Sequence, residues 1–244
     1  MITADARFDL RWHESVPSTM DVASALAHDG ARHGVVVGAD TQTAGRGRRG
    51  STWVSPPFAG LYFSFIARPR AADLSLLTLA AGVAVREGIA HATGLAADLK
   101  WPNDLIIGRR KLAGILAEGL SIGSASQAVI IGVGVNVQPA AYPPDVESRA
   151  TSIEGEIARP IDRDALLAAI LDALWDRLAT LEQRPGDILQ AWRAASPNAI
   201  GTRVEWDGRH GVTAGIDDSG ALLVNTGAGV ERIIAGELRW HLGT

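Results

Sequence analysis

Apolar and polar positions alternate over residues 8–16, which predicts a strand that Pro17 ends. Ser18 then stands as a helix N-cap, with Asp21 three residues on in a variant of the capping box, so a helix is expected over 19–27 before Asp29-Gly30. Residues 34–41 read as a buried strand, and 61–66 as another, rich in aromatic and β-branched types. The clearest helix spans 72–93, where Leu74, Leu77, Ala81, Val85 and Ile89 recur at spacings of three and four to make a core-facing stripe. Residues 98–101 form a short strand stopped by Pro102. Asn103-Asp104 turns into 105–107, and Gly108-Arg109-Arg110 turns again into 111–118, a hairpin with a lysine on each side. Residues 127–137 are a long apolar strand whose alternation puts Gly132, Gly134 and Asn136 on one face and three valines on the other. Glycine inside a strand marks close approach by a ligand or another backbone. Helices follow over 162–181 and 187–195. From Pro197 the texture changes to strands at 203–206, 212–217, 221–226 and 230–234, joined by Asp207-Gly208 and Ser219-Gly220. That spacing suggests a small barrel, too short to hold a core of its own and so packed on the main domain.

Composition narrows the class. At 244 residues, 47 % hydrophobic and 20 % charged, the chain suits one large domain or a main domain with a small appendage. A net charge of −4 argues against bulk electrostatic binding to nucleic acid or an anionic membrane. Absence of cysteine excludes disulfides, thiol nucleophiles and cysteine zinc sites. The six histidines show no close-spaced pair with an acidic partner, and there is no Gly-x-Ser-x-Gly. With no apolar signal core and no run of membrane-spanning length, a cytoplasmic protein is expected.

Against that background one stretch stands out. Residues 42–53, Gln-Thr-Ala-Gly-Arg-Gly-Arg-Arg-Gly-Ser-Thr-Trp, hold three glycines, three arginines and an indole. Glycine lets the backbone turn and approach a ligand, and arginine offers a planar donor fork for carboxylate or phosphate oxygens, so the stretch reads as a loop that closes over an anion. Gly45, Gly47 and Gly50 match the dinucleotide-binding spacing, but Ser55-Pro56-Pro57 follows where a helix should begin. A P-loop fails because Ser51 stands in place of its lysine. Lysine supplies a second signal. Of 23 basic residues only Lys100 and Lys111 are lysine, eleven apart on the two sides of the hairpin. An ammonium is a compact, rotatable point charge where a guanidinium is a fork, and the hairpin allows both ammonium groups to reach one anion.

Gln-x-x-Gly-Arg-Gly-Arg-Arg-Gly, Lys-Trp-Pro-Asn-Asp and Lys-Leu-Ala-Gly-Ile-Leu, in that order, resemble biotin protein ligase, also called biotin–[acetyl-CoA-carboxylase] ligase. The resemblance runs from about Ser15 to the C-terminus. It implies an α+β fold: a mixed-sheet catalytic domain of the biotin/lipoate ligase, class II aminoacyl-tRNA synthetase-like type over residues 1–195, then an SH3-like small barrel over 196–244. It implies activation of biotin by ATP to biotinyl-5′-AMP, then transfer to a lysine of the biotin carboxyl carrier protein. By resemblance Ser18, Thr19, Gln42, Gly45, Arg46, Gly47, Arg48, Lys111 and Gly114 form the biotin site, with Arg46, Arg48 and Lys111 at the reacting groups. Arg46 and Arg48 are expected to point the same way along an extended loop and line the acyl phosphate. Trp53, Lys100, Asn103 and Asn136 are expected at ATP, with Trp53 beside the adenine, Asn136 reading its edge and Asp104 helping to hold Mg²⁺. The family pattern begins too near Met1 to leave room for the DNA-binding domain of some members, so a form that does not bind DNA is expected. A lipoate or octanoate ligase and a non-catalytic binding protein are the alternatives. Homodimer formation is left open.

Overall fold

The computed structural model describes residues 5–69, 74–122, 126–140, 142–236 and 238–242. The alternating N-terminal stretch forms β1 (Asp9–Val16), and Ser18 caps α1 (Thr19–His28) by accepting from the Met20 N–H at 3.3 Å. The strands β2 (Val35–Gln42) and β3 (Gly60–Ala67) precede α2 (Leu74–Thr93). Residues 72–73, expected at the start of that helix, lie outside the described residues. The hairpin region supplies β4 (Asp98–Lys100), β5 (Asp104–Ile107) and β6 (Arg110–Ile122), and β7 (Ser126–Asn136) follows. Two short helices, α3 (Pro144–Glu147) and α4 (Ile153–Ile157), lead to α5 (Arg163–Gln183) and α6 (Pro185–Ala194). Asp162 caps α5 from the side chain, and Pro185 opens α6, where its missing N–H costs nothing.

The first seven strands form one sheet in the order β1-β2-β3-β7-β6-β5-β4, parallel only between β1 and β2. The sheet is therefore mixed, and the chain is an α+β protein. Its two faces are sorted by the alternation read from the sequence. Phe63, Phe65, Val133, Val135, Val137 and the α2 residues Leu77, Ala81, Val85 and Ile89 share one core with α5 and α6. Fully burying each large apolar side chain there contributes about 1.5–3 kcal/mol. On the opposite face α1 buries Met20, Ala23 and Ala27 against Val35, Val37, Ile66 and Ile130. This helix covers only part of its face, and the glycine-bearing ends of β6 and β7 lie beyond it.

The C-terminal strands are β8 (Ile200–Trp206), β9 (Arg209–Ile216), β10 (Leu222–Thr226), β11 (Gly229–Ile233) and β12 (Arg239–His241). They make an antiparallel sheet in the order β11-β10-β9-β8-β12. The expected barrel is thus an open five-stranded sheet among the described residues, because β11 and β12 end up at opposite edges. The last of these strands was not expected: three residues are too few to show alternation. Asp207-Gly208 makes the β8–β9 turn with both residues at positive φ. This sheet docks on the hairpin: the Trp101 indole donates to Gly220 O at 2.9 Å, and Arg193 Nη2 of α6 donates to Ile216 O at 2.9 Å.

Candidate functional site

The uncovered part of the α1 face has a floor of glycines. Gly114 pairs with Gly134 across β6 and β7, Gly134 with Tyr62, and Gly132 with Ser64 and Leu116. Trp53 lies directly on the first pair. A Cβ at Gly134 would stand 2.6 Å from Trp53 Nε1 and 2.7 Å from Cζ2, and one at Gly114 would stand 2.9 Å from Cζ3. Any side chain at either position would displace the indole, so glycine here is a steric requirement. Met20 sits in the same manner on Gly132.

One wall is a polar network that joins α1 to the sheet. Gln42 Oε1 accepts from the Thr19 backbone N–H at 2.9 Å and the Thr19 hydroxyl at 3.2 Å, while Gln42 Nε2 donates to Ser55 Oγ at 3.0 Å. The Thr19 and Ser64 hydroxyls are 2.8 Å apart. Ser18 and Thr19 are buried. Capping and site-building therefore coexist in one Ser-Thr pair: Ser18 starts the helix, and Thr19 orients the glutamine amide. Tyr62 donates to Pro56 O at 3.2 Å and pins the segment after the loop. Burial, with Tyr142 nearby, raises the Tyr62 phenol well above its usual range, so it stays neutral.

The arginine-glycine loop closes over this floor, but not as an extended strand. Arg48–Gly50 form a single 3-10 turn with Arg49 at φ 53°, Gly47 N–H donates to Ser51 O at 2.7 Å, and Arg46 bridges to Thr52. The turn sends Arg46 and Arg48 to different places, which corrects the expectation that they point together. Arg46 Nη2 lies 3.0 Å from Glu118 Oε2 on β6 and 3.2 Å from Asp21 Oδ1 on α1. The Asp21 side chain is drawn to this ion pair. Arg48 reaches Asn103 Oδ1 at 3.4 Å and Gly236 O at 3.5 Å, toward the hairpin and the C-terminal sheet. Between the loop and β6 is a cleft of about 370 Å³ lined by residues 44–52, Leu116 and Glu118. Gly45 and Gly47 line it, and Gly45 O accepts from the Trp53 N–H at 2.9 Å, which sets the indole in place.

The two lysines do meet one anion, and in this structure it is Asp104. Lys111 Nζ is 2.6 Å from Asp104 Oδ1, and Lys100 Nζ is 3.9 Å from Oδ2. Lys111 Nζ also stands 5.2 Å from the centre of a Trp53 ring, at cation–π range, so lysine, indole and glycine pair form one cluster. The expectation that Asp104 holds a metal does not fit this arrangement. Each carboxylate oxygen faces an ammonium group, and among the described residues no three His, Cys, Asp or Glu side chains come together as metal ligands. Asn136 is held by its own amide. Its Nδ2 donates to Lys111 O at 3.3 Å and Thr151 O at 2.9 Å, so the amide N–H groups are used on backbone and fix the start of β6. Asn103 Nδ2 likewise donates to Ile115 O at 2.7 Å, leaving Oδ1 toward Arg48.

Glu118, Asp21, Ser55 and Ser64 stand at this candidate site, yet none was expected there from the sequence: Asp21 was read only as part of a helix cap and Ser55 only as part of a helix break. The signal for two of them was present. Ser64 is the one hydroxyl-bearing aliphatic residue in an otherwise apolar run, and Glu118 is an acid on a half-buried strand, four residues from Gly114 and so on the same face.

Comparison with known proteins follows the same residues. Residues 12–136 match the Biotin/lipoate A/B protein ligase family, and 209–238 match the Biotin protein ligase C terminal domain. The biotin–[acetyl-CoA-carboxylase] ligase of Paracoccus denitrificans is 38 % identical over 212 residues, covering 81 % of this chain and 86 % of that one. The bifunctional ligase/repressor BirA of Bacillus subtilis is 35 % identical over 240 residues, covering 94 % of this chain and 73 % of its own. Among solved structures, biotin protein ligase from Aquifex aeolicus in complex with biotin and ATP superimposes with a TM-score of 0.83 at 28 % identity, covering 96 % of this chain and 99 % of that one.

Proposed function

The chain belongs to the Biotin/lipoate A/B protein ligase family, and from that premise we infer that it is an ATP-dependent biotin protein ligase. The biotin carboxylate attacks the α-phosphorus of ATP, the bond to the bridging oxygen breaks, and pyrophosphate leaves. A lysine amine of the carrier protein then attacks the acyl carbon of biotinyl-5′-AMP, AMP leaves with the bonding pair, and the amine gives up its proton. The observation that carries this reading is the glycine-floored face where Trp53 and Lys111 converge beneath the arginine-glycine loop. The indole offers a ligand a flat apolar surface, and the ammonium beside it offers an anion a partner.

Each residue's role is part of the proposal. Thr19 and Gln42 take the bicyclic ring of biotin, with Ser18, Gly45, Gly47 and Gly114 shaping the wall. Lys111 faces the carboxylate and α-phosphate, where a positioned cation offsets the repulsion between two anions. Arg48, Lys100 and Asn103 lie toward the phosphates, and Trp53 covers the nucleotide side. With its N–H groups committed to backbone, Asn136 presents its carbonyl oxygen, which suits the exocyclic amine of adenine. Mg²⁺ arrives with the nucleotide phosphates. The loop shields the mixed anhydride from water. The five-stranded C-terminal sheet is assigned as the SH3-like module of a two-part chain divided near residue 195, and the acceptor as a biotin carboxyl carrier protein.

Pyrophosphate release from MgATP, with biotin, lipoate or octanoate supplied separately, tests the reading. Release that depends on biotin alone is expected. Release driven by lipoate or octanoate would move the chain to the sister activity, and silence with all three would leave a binding protein.

A further inference from the structure

Arg46 is held in an unusual way for a residue expected to greet an anion. Two carboxylates, Glu118 at 3.0 Å and Asp21 at 3.2 Å, converge on its Nη2, while its Nε is buried with no hydrogen-bond partner among the described residues. The three residues come from the loop, β6 and the first turn of α1. That turn is already tied to the loop's entry by Thr19 and Gln42. Arg46 in turn bridges to Thr52, and Gly45 O receives the Trp53 N–H, so where Arg46 stands decides where the indole meets Gly114 and Gly134.

We propose that Glu118, seconded by Asp21, is a positioning residue of the ligase: it pins one nitrogen of Arg46, holding the loop mouth shut over the glycine floor and leaving the Nε edge of Arg46 to donate to the ligand. A charge-assisted contact of this kind is stronger than a neutral one because one or both partners carry a formal charge. Glu118 lies on the same strand and face as Gly114 and Leu116, so it is carried by a rigid element rather than by the loop it holds. Asp21 is the more exposed partner, its side chain 57 % accessible against 36 % for Glu118, and water screens it more. Glu118 is therefore the principal anchor.

The inference rests on the biotin-ligase reading only in its second readout, so the two can fail separately. The first readout is tryptic cleavage after Arg48 and Arg49 in the unliganded chain. Glu118→Gln keeps the shape of the side chain and removes its charge. It should speed cleavage at this loop about tenfold, the equivalent of roughly 1.4 kcal/mol of lost closure. Other tryptic sites and the melting temperature should stay as in the parent. Asp21→Asn should do the same to a smaller degree, and Glu118→Asp should restore part of the protection. The second readout is escape of biotinyl-AMP, trapped by dilution into excess unlabelled biotin, which should rise by a similar factor while the single-turnover rate of its formation changes less. A purely structural Glu118 would instead lower the melting temperature and raise cleavage everywhere. Loop cleavage unchanged in both Glu118→Gln and Asp21→Asn would overturn the proposal. Should Glu118→Gln fail to fold, the surface variant Asp21→Asn decides by the same two readouts.

Discussion

Gly134→Ala adds one methyl at the point where the structure leaves no room for it. The new Cβ would lie 2.6 Å from Trp53 Nε1 and 2.7 Å from Cζ2. Carbon atoms prefer about 3.5–4.0 Å, so the ring must retreat by roughly 1 Å. It cannot slide along β6, because the same indole already rests on Gly114, and its backbone is tied to Gly45 O. The ring must lift off the floor, away from Lys111. Overpacking of this kind costs about 1–3 kcal/mol. Trp53 is only half-buried and can relieve much of that in stability by turning outward, so the loss should appear in function. If about 1.4–2.8 kcal/mol of ligand positioning goes with the ring, biotin-dependent pyrophosphate release falls about 10- to 100-fold in kcat/KM. Gly132→Ala is the control. Its Cβ would meet the Sδ and Cγ of Met20, an unbranched side chain that can adjust, so the defect should be under about 1 kcal/mol. The reasoning has a sharper test in a double-mutant cycle. With Trp53→Ala as background, Gly134→Ala should cost almost nothing further, because the clashing ring is gone. A full additive loss in that background would refute the steric account.

Two further outcomes follow from named contacts. Lys111→Arg puts a longer, planar cation where the ammonium sits 2.6 Å from Asp104 and where even a Cβ on Gly114 would stand only 3.1 Å from Nζ. Adenylation should fall about 100-fold or more with stability nearly unchanged, and near-parental pyrophosphate release from this variant would show that a point charge is not needed. At the β9–β10 turn, burial works against the Asp217 carboxylate. Hydrogen bonds from Ser219 and Arg232 side chains and from the Ala221 and Ser219 N–H groups outweigh it and hold the carboxyl at about 2, below its ordinary 3.8. A depressed folded value stabilises above pH 3.8 and is lost as pH falls toward 2. For this solvent-accessible group about 1 kcal/mol is expected at neutral pH, falling by about half at pH 3. The stability difference between the parent chain and Asp217→Asn, from urea unfolding at pH 6 and pH 3, should shrink accordingly. A difference that stays constant would rule the linkage out.

The strands and main helices were legible because alternation and helical spacing are local, and burial rewards them locally. The valine face of β7 packs on α2 as its pattern implied, and the glycine face is the one on which Met20 and Trp53 rest. The two lysines did converge. What the sequence hid is whatever depends on a partner far along the chain. The loop looked extended because three arginines alternate with glycines, yet a 3-10 turn and two carboxylates, one 25 residues before Arg46 and the other 72 after it, divide them. Asn136 was expected to read adenine with its amide because it ends the glycine face of β7. Its donors are instead taken by Lys111 and Thr151, the second on a segment whose pairing with β6 no periodicity reveals.

These partners explain how a site that must gather anions stays ordered without them. Four cations, Arg46, Arg48, Lys100 and Lys111, stand near the floor, and left alone they would repel one another. Two unit charges 4 Å apart interact by about 4 kcal/mol at an effective dielectric of 20. Asp104 sits between the lysines, and Asp21 and Glu118 hold Arg46, so the three carboxylates leave a net charge of +1 among these seven groups. Arg46, Lys100 and Lys111 are thereby fixed before ligand arrives, and Arg48 is held by Asn103 and Gly236, which lowers the entropy cost of ordering long side chains on binding. The same pairing limits attraction for stray anions. A carboxylate and a phosphate that enter together can share Lys111 with Asp104, because an ammonium has three donors and Asp104 uses one edge of it. A guanidinium forked onto Asp104 would hold its remaining donors in fixed directions, whereas the ammonium can rotate its free ones onto the incoming anion, so the sparing of lysine at position 111 follows from the carboxylate beside it.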